Sequence, residues 1–494
     1  MTDNTPRPEP APVPESAPRT ESAAMGKAAP RPAPADTPEP ESPPEPAALS
    51  ESGTSHAPPS PIPSPTPSAI AGAGLPSAPL AALDASPVDA RSLPDSPTTA
   101  AAVRSAGLHL RDLWLPAVTL DASALRHNLD RFARWCADQG ADLAPHAKTT
   151  MSPHLWSAQL DRGAWGLTAA TTAQARTMRS FGAPRVLIAN EVVEEGQLAW
   201  IADALSDPDF HVLCLADSAT GVRIMESALA GAARPLPVLV ELGVEGRRTG
   251  VRDLDDALDL ARRIAASPAL TLAGVEAFEG VFPQRRDDDS PARVRSWLDR
   301  LLDFARRADA EGLFAGADEV IVTAGGSSYP DLVADALSTP PELSLPIRRI
   351  IRSGCYLTHD DLFMERASPL RSAVADDPLR PALSCHARVL SRPEPGRALL
   401  GVGKRDVSFD IDLPVPRALL RGERRIPLDG AARIVELNDH HGFLDFTGTG
   451  DAAPDVGDIV ELGLSHPCTV FDKWPLIPVL DSEGRVVDAV RTLF

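Results

Sequence analysis

Eight short apolar runs alternate with helical patterns between residues 142 and 357, and no other feature narrows the choice of fold as far. The runs are DLAPHAKT (142–149), WGLTAA (165–170), RVLIANEVV (185–193), HVLCLAD (211–217), LPVLVELGV (236–244), TLAGVEAFEG (271–280), EVIVTAGGSS (319–328) and IRRIIRSGCYL (347–357). Between them lie amphipathic stretches such as TAQARTMRSFG (172–182) and DLDDALDLARRIAAS (253–267), with apolar residues at helical spacing. Strands separated by helices form a parallel sheet, and eight such units over ~215 residues predict a closed (β/α)8 barrel. A doubly wound open sheet is the alternative if one run is miscounted. Upstream, LPAVTLD (115–121) reads as a strand, and Asp121 caps the amphipathic helix ASALRHNLDRFARWCADQ.

On either side of the barrel the texture changes. About half of the 51 prolines fall in the first hundred residues, and the first aromatic residue is Trp114. A segment so built has little with which to offset its ordering entropy, so residues 1–107 are expected to be a disordered Pro/Ala/Ser-rich tail. On that reading deletion of residues 1–105 leaves stability and turnover almost unchanged, and translation could start at Met1 or Met25. The barrel is assigned to 108–369. From about residue 370 the segments PALSCHARVLSR, ALLGVGKRDVSFD, ARIVELNDHHGFLDF, DIVELGL and RVVDAVRTL alternate with period two, which predicts a C-terminal all-β domain over 370–494.

The formal charge of −20 includes no strongly basic block, which argues against a nucleic-acid partner. Five scattered cysteines suit reduced thiols better than a disulfide framework. Neither a long apolar span nor a signal-like N-terminus is present, so a cytoplasmic protein with no membrane partner is expected.

In such a barrel the chemistry sits where the strands end. The first run ends PHAKTT, and if it stays extended, His146 and Lys148 point to the same face, the barrel mouth. A partly desolvated lysine there can form an imine with an aldehyde; a solvated rim lysine is the plainer alternative. The seventh run ends TAGGSSYP and the eighth SGCYL, glycine-bearing loops where barrels bind phosphate. Lysine and loops together point to a phosphorylated aldehyde, pyridoxal phosphate. Arg248, in GRRTGV, reaches into the mouth or pairs at the surface with Glu241 or Glu245. Near the C-terminus, LSHPC places His466 and Cys468 two apart, so they share a face if the strand continues; imidazole and thiolate suit zinc. A buried cysteine beside a structural histidine is the alternative, and His440 and His441 are further candidates nearby.

These motifs (PHAKTT, GRRTGV, TAGGSS, SGCYL, DHHGFL and SHPCTVFDKW) resemble the D-serine dehydratase and D-threonine aldolase family, fold-type III pyridoxal enzymes related to alanine racemase. The resemblance runs from about Leu115 to the C-terminus. It implies Lys148 as the Schiff-base lysine, His146 beside it, and Arg248 near the cofactor. Thr323, Gly325, Gly326 and Ser327, with Gly354, Cys355 and Tyr356, match the phosphate loops. His466 and Cys468 match the divalent-metal pair of zinc-dependent dehydratases, while D-threonine aldolases usually carry aspartate where Cys468 stands. His441 matches an E-H-G histidine, with His440 replacing the glutamate. Phe278 stands where relatives often have tyrosine, which leaves Glu279 as a candidate partner of the pyridine nitrogen. The implied activity is a pyridoxal-phosphate- and zinc-dependent lyase giving 2-oxo acid and ammonia from D-3-hydroxy amino acids. Retro-aldol cleavage, a metal-free racemase and a non-catalytic carrier are the alternatives. The family also implies a homodimer, in which the metal pair and Lys148 meet only across the interface.

Overall fold

The computed structural model describes residues 68–494 apart from residues 288 and 340. In chain order the first strand is β1 (Ala117–Asp121). The next eight are β2 (Asp142–Leu143), β3 (Leu167–Ala169), β4 (Arg185–Glu191), β5 (His211–Ala216), β6 (Leu236–Leu242), β7 (Leu270–Ala277), β8 (Val320–Ala324) and β9 (Ile347–Ile351). Each of these eight coincides with one of the predicted runs, β7 starting one residue early. They pair in parallel in the order β2-β9-β8-β7-β6-β5-β4-β3. Between β2 and β3, a parallel bridge from His146 to Thr168 and the bond from Trp165 N to Leu143 O (2.7 Å) close the barrel.

The period-two alternation of the strands explains the layers. Ala144, Leu187, Leu213, Leu215, Leu239, Ala273, Ile321 and Ile350 form an apolar cluster of their own. Their neighbours Val186, Val212, Val238 and Val322 belong to the larger core with residues of the surrounding helices. Helix Ala122–Asp138 starts as expected, with Asp121 Oδ1 accepting from Ala124 N at 2.6 Å.

Strand β1, by contrast, is not a barrel element. It pairs antiparallel with β10 (Leu383–Glu394) and parallel with Leu476–Leu480, so it lies inside the C-terminal antiparallel sheet. That sheet also contains Val415–Arg421 and Arg424–Pro427, which the period-two reading missed, whereas GKRDVSFD forms turns rather than a strand.

The expected tail extent is also corrected. Residues 1–67 lie outside the described residues, but 68–107 fold against the rest. They form helices α1 (Ser77–Ala85) and α2 (Ala100–Ser105), and Ile70, Leu75, Leu80, Leu83 and Val103 are buried. Aliphatic side chains do here what the missing aromatics cannot. Within this segment Arg104 is 9 % exposed and lies between two carboxylates, Asp84 (Nη1–Oδ2 2.7 Å) and Asp488 (Nε–Oδ1 2.6 Å). Fully buried His154, on the helix Pro153–Asp161 that follows the PHAKTT loop, contacts Asp84 Oδ1 at 2.7 Å. Asp488 in turn accepts from Ile70 N and from Ser68 Oγ. No helix among the described residues is long and apolar enough to cross a membrane.

Candidate active site

A cavity of about 560 Å³ opens at the C-terminal ends of the barrel strands and is roofed by the β domain. Lys148, Cys355, His466 and Cys468 all line it. His466 and Cys468 therefore meet Lys148 within one chain, contrary to the expectation that only an interface brings them together.

His146 and Lys148 do not continue a strand. β2 ends at Leu143, and Ala147–Thr149 form a single 3-10 turn that presents both side chains to the cavity. His146 is held well below the ordinary imidazole range by burial, then by the positive charges of Arg352, Lys148 and Arg248. It is a neutral group, and its Nδ1 has no hydrogen-bond partner. Arg248 lies over the Phe278 ring, 4.2 Å from its centroid, so the phenylalanine in place of tyrosine serves as a platform for the guanidinium.

The glycine loops divide into parts that line the cavity and parts that support them. Gly326, Ser327, Gly354 and Cys355 line it. A Cβ on Gly354 would stand 2.6 Å from the His146 carbonyl oxygen, so only glycine lets the eighth loop pack so closely on the lysine turn. Thr323 is fully buried in the wall, donating to Ile350 O (3.0 Å) and accepting from Arg352 Nη1 (2.7 Å). Gly325 adopts φ +133°, a left-handed conformation that turns the loop. Tyr356 points into the helix layer, stacked on Phe132 at 4.2 Å with its hydroxyl accepting from Gln159 Nε2. Glu279 is buried, accepts from Gly326 N at 2.6 Å and is not among the residues lining the cavity, so it braces the loop from behind. His441 sits on an exposed turn and is not part of this cavity.

LSHPC breaks the expected strand. The strand ends at Gly463, His466 takes φ +51°, and Cys468 opens a short helix. Both side chains still reach the cavity because the left-handed residue reverses the chain. His466 Nδ1 contacts Asp410 Oδ2 at 2.5 Å, leaving Nε2 as its other nitrogen. Cys468 Sγ is 3.4 Å from Thr149 Oγ1, one residue past the lysine. Hydrogen bonding with Cys355 holds the Cys468 thiol well below its ordinary range against the opposing effect of burial, and His466 and Thr149 reinforce the shift. His466 is pushed up to about 9, first by Cys468 and then by Asp410. Among the described residues no group of three or more His, Cys, Asp or Glu side chains forms a ready-made cage for a metal.

Sequence reasoning missed Arg352, Glu276 and Asp360 and named Glu241 only as a surface partner of Arg248, yet all four line the cavity. Arg352 and Glu276 form a fully buried ion pair, and burial pushes Glu276 up to about 7 against the effect of Arg352. Glu241 is pushed up to about 8 by burial and by its neighbour Glu191. The signal was available: VELGV, VEAFEG and IIRSG each carry a charge at the end of an apolar run, where a barrel strand reaches its mouth.

Comparison with known proteins agrees with this geometry. Residues 120–327 match the alanine racemase N-terminal domain, and 382–480 match a putative serine dehydratase domain. The chain is 25 % identical over 399 residues to D-threo-3-hydroxyaspartate dehydratase of Delftia sp. (strain HT23), covering 76 % of this chain and 97 % of that protein. It is 22 % identical over 372 residues to 3-hydroxy-D-aspartate aldolase of Paracoccus denitrificans (strain Pd 1222), covering 74 % and 89 %. The crystal structure of D-threonine aldolase from Filomicrobium marinum superposes with a TM-score of 0.65 at 25 % identity, covering 78 % of this chain and 97 % of that one. With both domains matched in order on the fold just described, the chain joins an alanine racemase N-terminal domain to a putative serine dehydratase domain and is similar in sequence and fold to D-3-hydroxy amino acid dehydratases and aldolases.

Proposed function

We propose that the chain is a pyridoxal-phosphate- and zinc-dependent lyase that dehydrates and deaminates D-3-hydroxy amino acids. One observation carries the reading: Lys148, His466 and Cys468 face the same cavity, and Thr149 links the lysine turn to the cysteine.

The residues fit both groups. For the cofactor, the cavity offers a lysine, two glycine loops closely packed on it, and the cations Arg248 and Arg352. For the metal, a carboxylate on His466 Nδ1, the usual second partner of a ligating histidine, orients the ring and leaves Nε2 as the nitrogen that would ligate. A thiolate at Cys468 favours zinc over harder ions. Among the solved relatives, a D-threo-3-hydroxyaspartate dehydratase with a cysteine-to-alanine substitution is in the metal-free form.

Bound there, pyridoxal phosphate supplies an electron sink for Cα, and zinc supplies a Lewis acid for the β-hydroxyl. The chain's own groups do the rest. The Lys148 amine, at the cavity wall, takes the α-proton. Neutral His146, beside it, adds no further positive charge to a mouth that already holds Lys148, Arg248 and Arg352. Asp410 fixes the His466 ring, and the β domain over the cavity excludes water from the reacting carbons.

The test is a product assay on a panel of D-3-hydroxy amino acids. Ammonia and 2-oxo acid should form with little glycine, a chelator should stop the reaction, and zinc should restore it better than manganese. Glycine and aldehyde formed faster than ammonia would favour retro-aldol cleavage, the second reading, which similarity to aldolases as well as dehydratases keeps open.

A further inference from the structure

Cys355 sits in the loop after β9, yet its sulfur is turned toward the β domain. It is 3.9 Å from Cys468 Sγ and 4.0 Å from Thr149 Oγ1. Two thiolates bound to one tetrahedral zinc at about 2.3 Å have sulfurs about 3.8 Å apart, the edge of the tetrahedron. A disulfide would need about 2.05 Å, far shorter than the gap observed. Simple contact between two packed thiols gives a similar spacing, so the surroundings decide between packing and ligation. They are polar: the Thr149 hydroxyl, the His466 ring beside Cys468, and Asp360. Asp360 is 2 % exposed, lines the same cavity, and has an Oδ2 with no hydrogen-bond partner. Two half-buried thiols, an imidazole held by a carboxylate and an unpartnered carboxylate oxygen suit a cation better than an apolar contact.

We propose that Cys355 is a metal ligand, joining Cys468 and His466 in a two-sulfur, one-nitrogen set for zinc. The proposal rests on the reading that His466 and Cys468 hold the metal, and it reassigns Cys355 from the phosphate cradle. The two sulfurs are already at ligation spacing, whereas the imidazole does not stand with them as a third ligand and would have to swing onto the ion. Three protein ligands leave one position of a tetrahedral ion for a substrate oxygen, where two ligands would leave two. The loop after β9 and the β domain are thereby fastened to each other through the ion.

Cobalt(II) and zinc(II) themselves are the probes, on the reduced full-length chain. Sulfur-to-cobalt charge-transfer absorbance scales with the number of bound thiolates. Cys355→Ser and Cys468→Ser should each lose about half of the wild-type intensity, and the double variant should lose all of it. Zinc affinity, measured by competition with a chromophoric chelator, should fall more than about tenfold in Cys355→Ser, because even groups that only support a ligand cost that much. Cys355→Ala is the second variant, and circular dichroism checks that each one is folded. A Cys355→Ser protein with the wild-type cobalt spectrum and zinc affinity would overturn this proposal and leave the His466–Cys468 reading standing. A wild-type protein with no sulfur-to-cobalt band would overturn both.

Discussion

Arg104→Met is the sharpest test of how the N-terminal segment is held. The arginine bridges Asp84 and Asp488 and also donates to Ala489 O at 2.9 Å, all with its side chain almost fully out of water. Methionine keeps much of the volume and removes the charge. Two carboxylates are then left facing each other, with only neutral donors and His154 nearby. Breaking a buried pair in this way costs about 3–5 kcal/mol. Taking ~2.1 cal/mol/K per residue over roughly 430 residues, the unfolding entropy is about 0.9 kcal/mol/K, so Tm should fall by about 3–6 °C. Differential scanning fluorimetry at neutral pH, repeated at low and high salt, measures it. The loss should persist at high salt, because a buried pair is little screened. Adding Asp84→Asn to the variant should recover part of the loss, since one stranded charge is removed. A Tm change below about 1 °C, or a loss that disappears in salt, would show that the network is solvated and the reasoning wrong.

Deleting residues 1–106 should destabilise the chain strongly, since it strips Ile70, Leu75, Leu80 and Leu83 from the core; an unchanged unfolding midpoint would refute this. Lys148→Ala should abolish the borohydride-trapped adduct with pyridoxal phosphate while circular dichroism stays unchanged, and trapping at another lysine would refute the assignment. Glu241 has a pKa raised to about 8 in the fold, so its stabilising effect is complete below the ordinary carboxyl range and is lost as pH rises through about 8. Glu241→Gln should therefore gain stability relative to wild type between pH 5 and 9 in parallel thermal melts, and a constant or falling difference would contradict that sign. We propose a homodimer, for which sedimentation velocity is the check; an active monomer would exclude it.

The barrel strands were legible because each must bury both faces, which writes a continuous apolar run between helical patterns. What a run cannot state is its partner. β1 has the same local pattern as a barrel strand, and only Ser384, Cys385 and Val479 on the far side of the sequence decide its sheet. The segment 68–107 was misread for a related reason: absent aromatics and frequent prolines describe the cost of ordering a chain, not the surface waiting to receive it. At the site, Lys148, His466 and Cys468 stood out because their chemistry is unusual at those positions, and all three line one cavity. Thr323 and Tyr356 were placed correctly along the chain but act from the wall and the helix layer, since side-chain direction depends on packing. Glu276 and Arg352 went unnoticed because each has meaning only beside the other, across two strands. His441 carries a matching motif on an exposed turn.

Because β1 is filed between residues Leu383–His386 of β10 and the strand Leu476–Leu480, the order of synthesis matters. A ribosome delivers β1 before any barrel strand, but its sheet neighbours emerge more than two hundred residues later. The nascent strand must wait with both edges unpaired while the barrel forms behind it, the situation in which exposed strands recruit other chains. Slow contacts of such long sequence separation also lengthen the wait. A heterologous host that outpaces its chaperones should therefore yield this protein as aggregates even though the finished fold is sound, and slower translation should raise the soluble fraction.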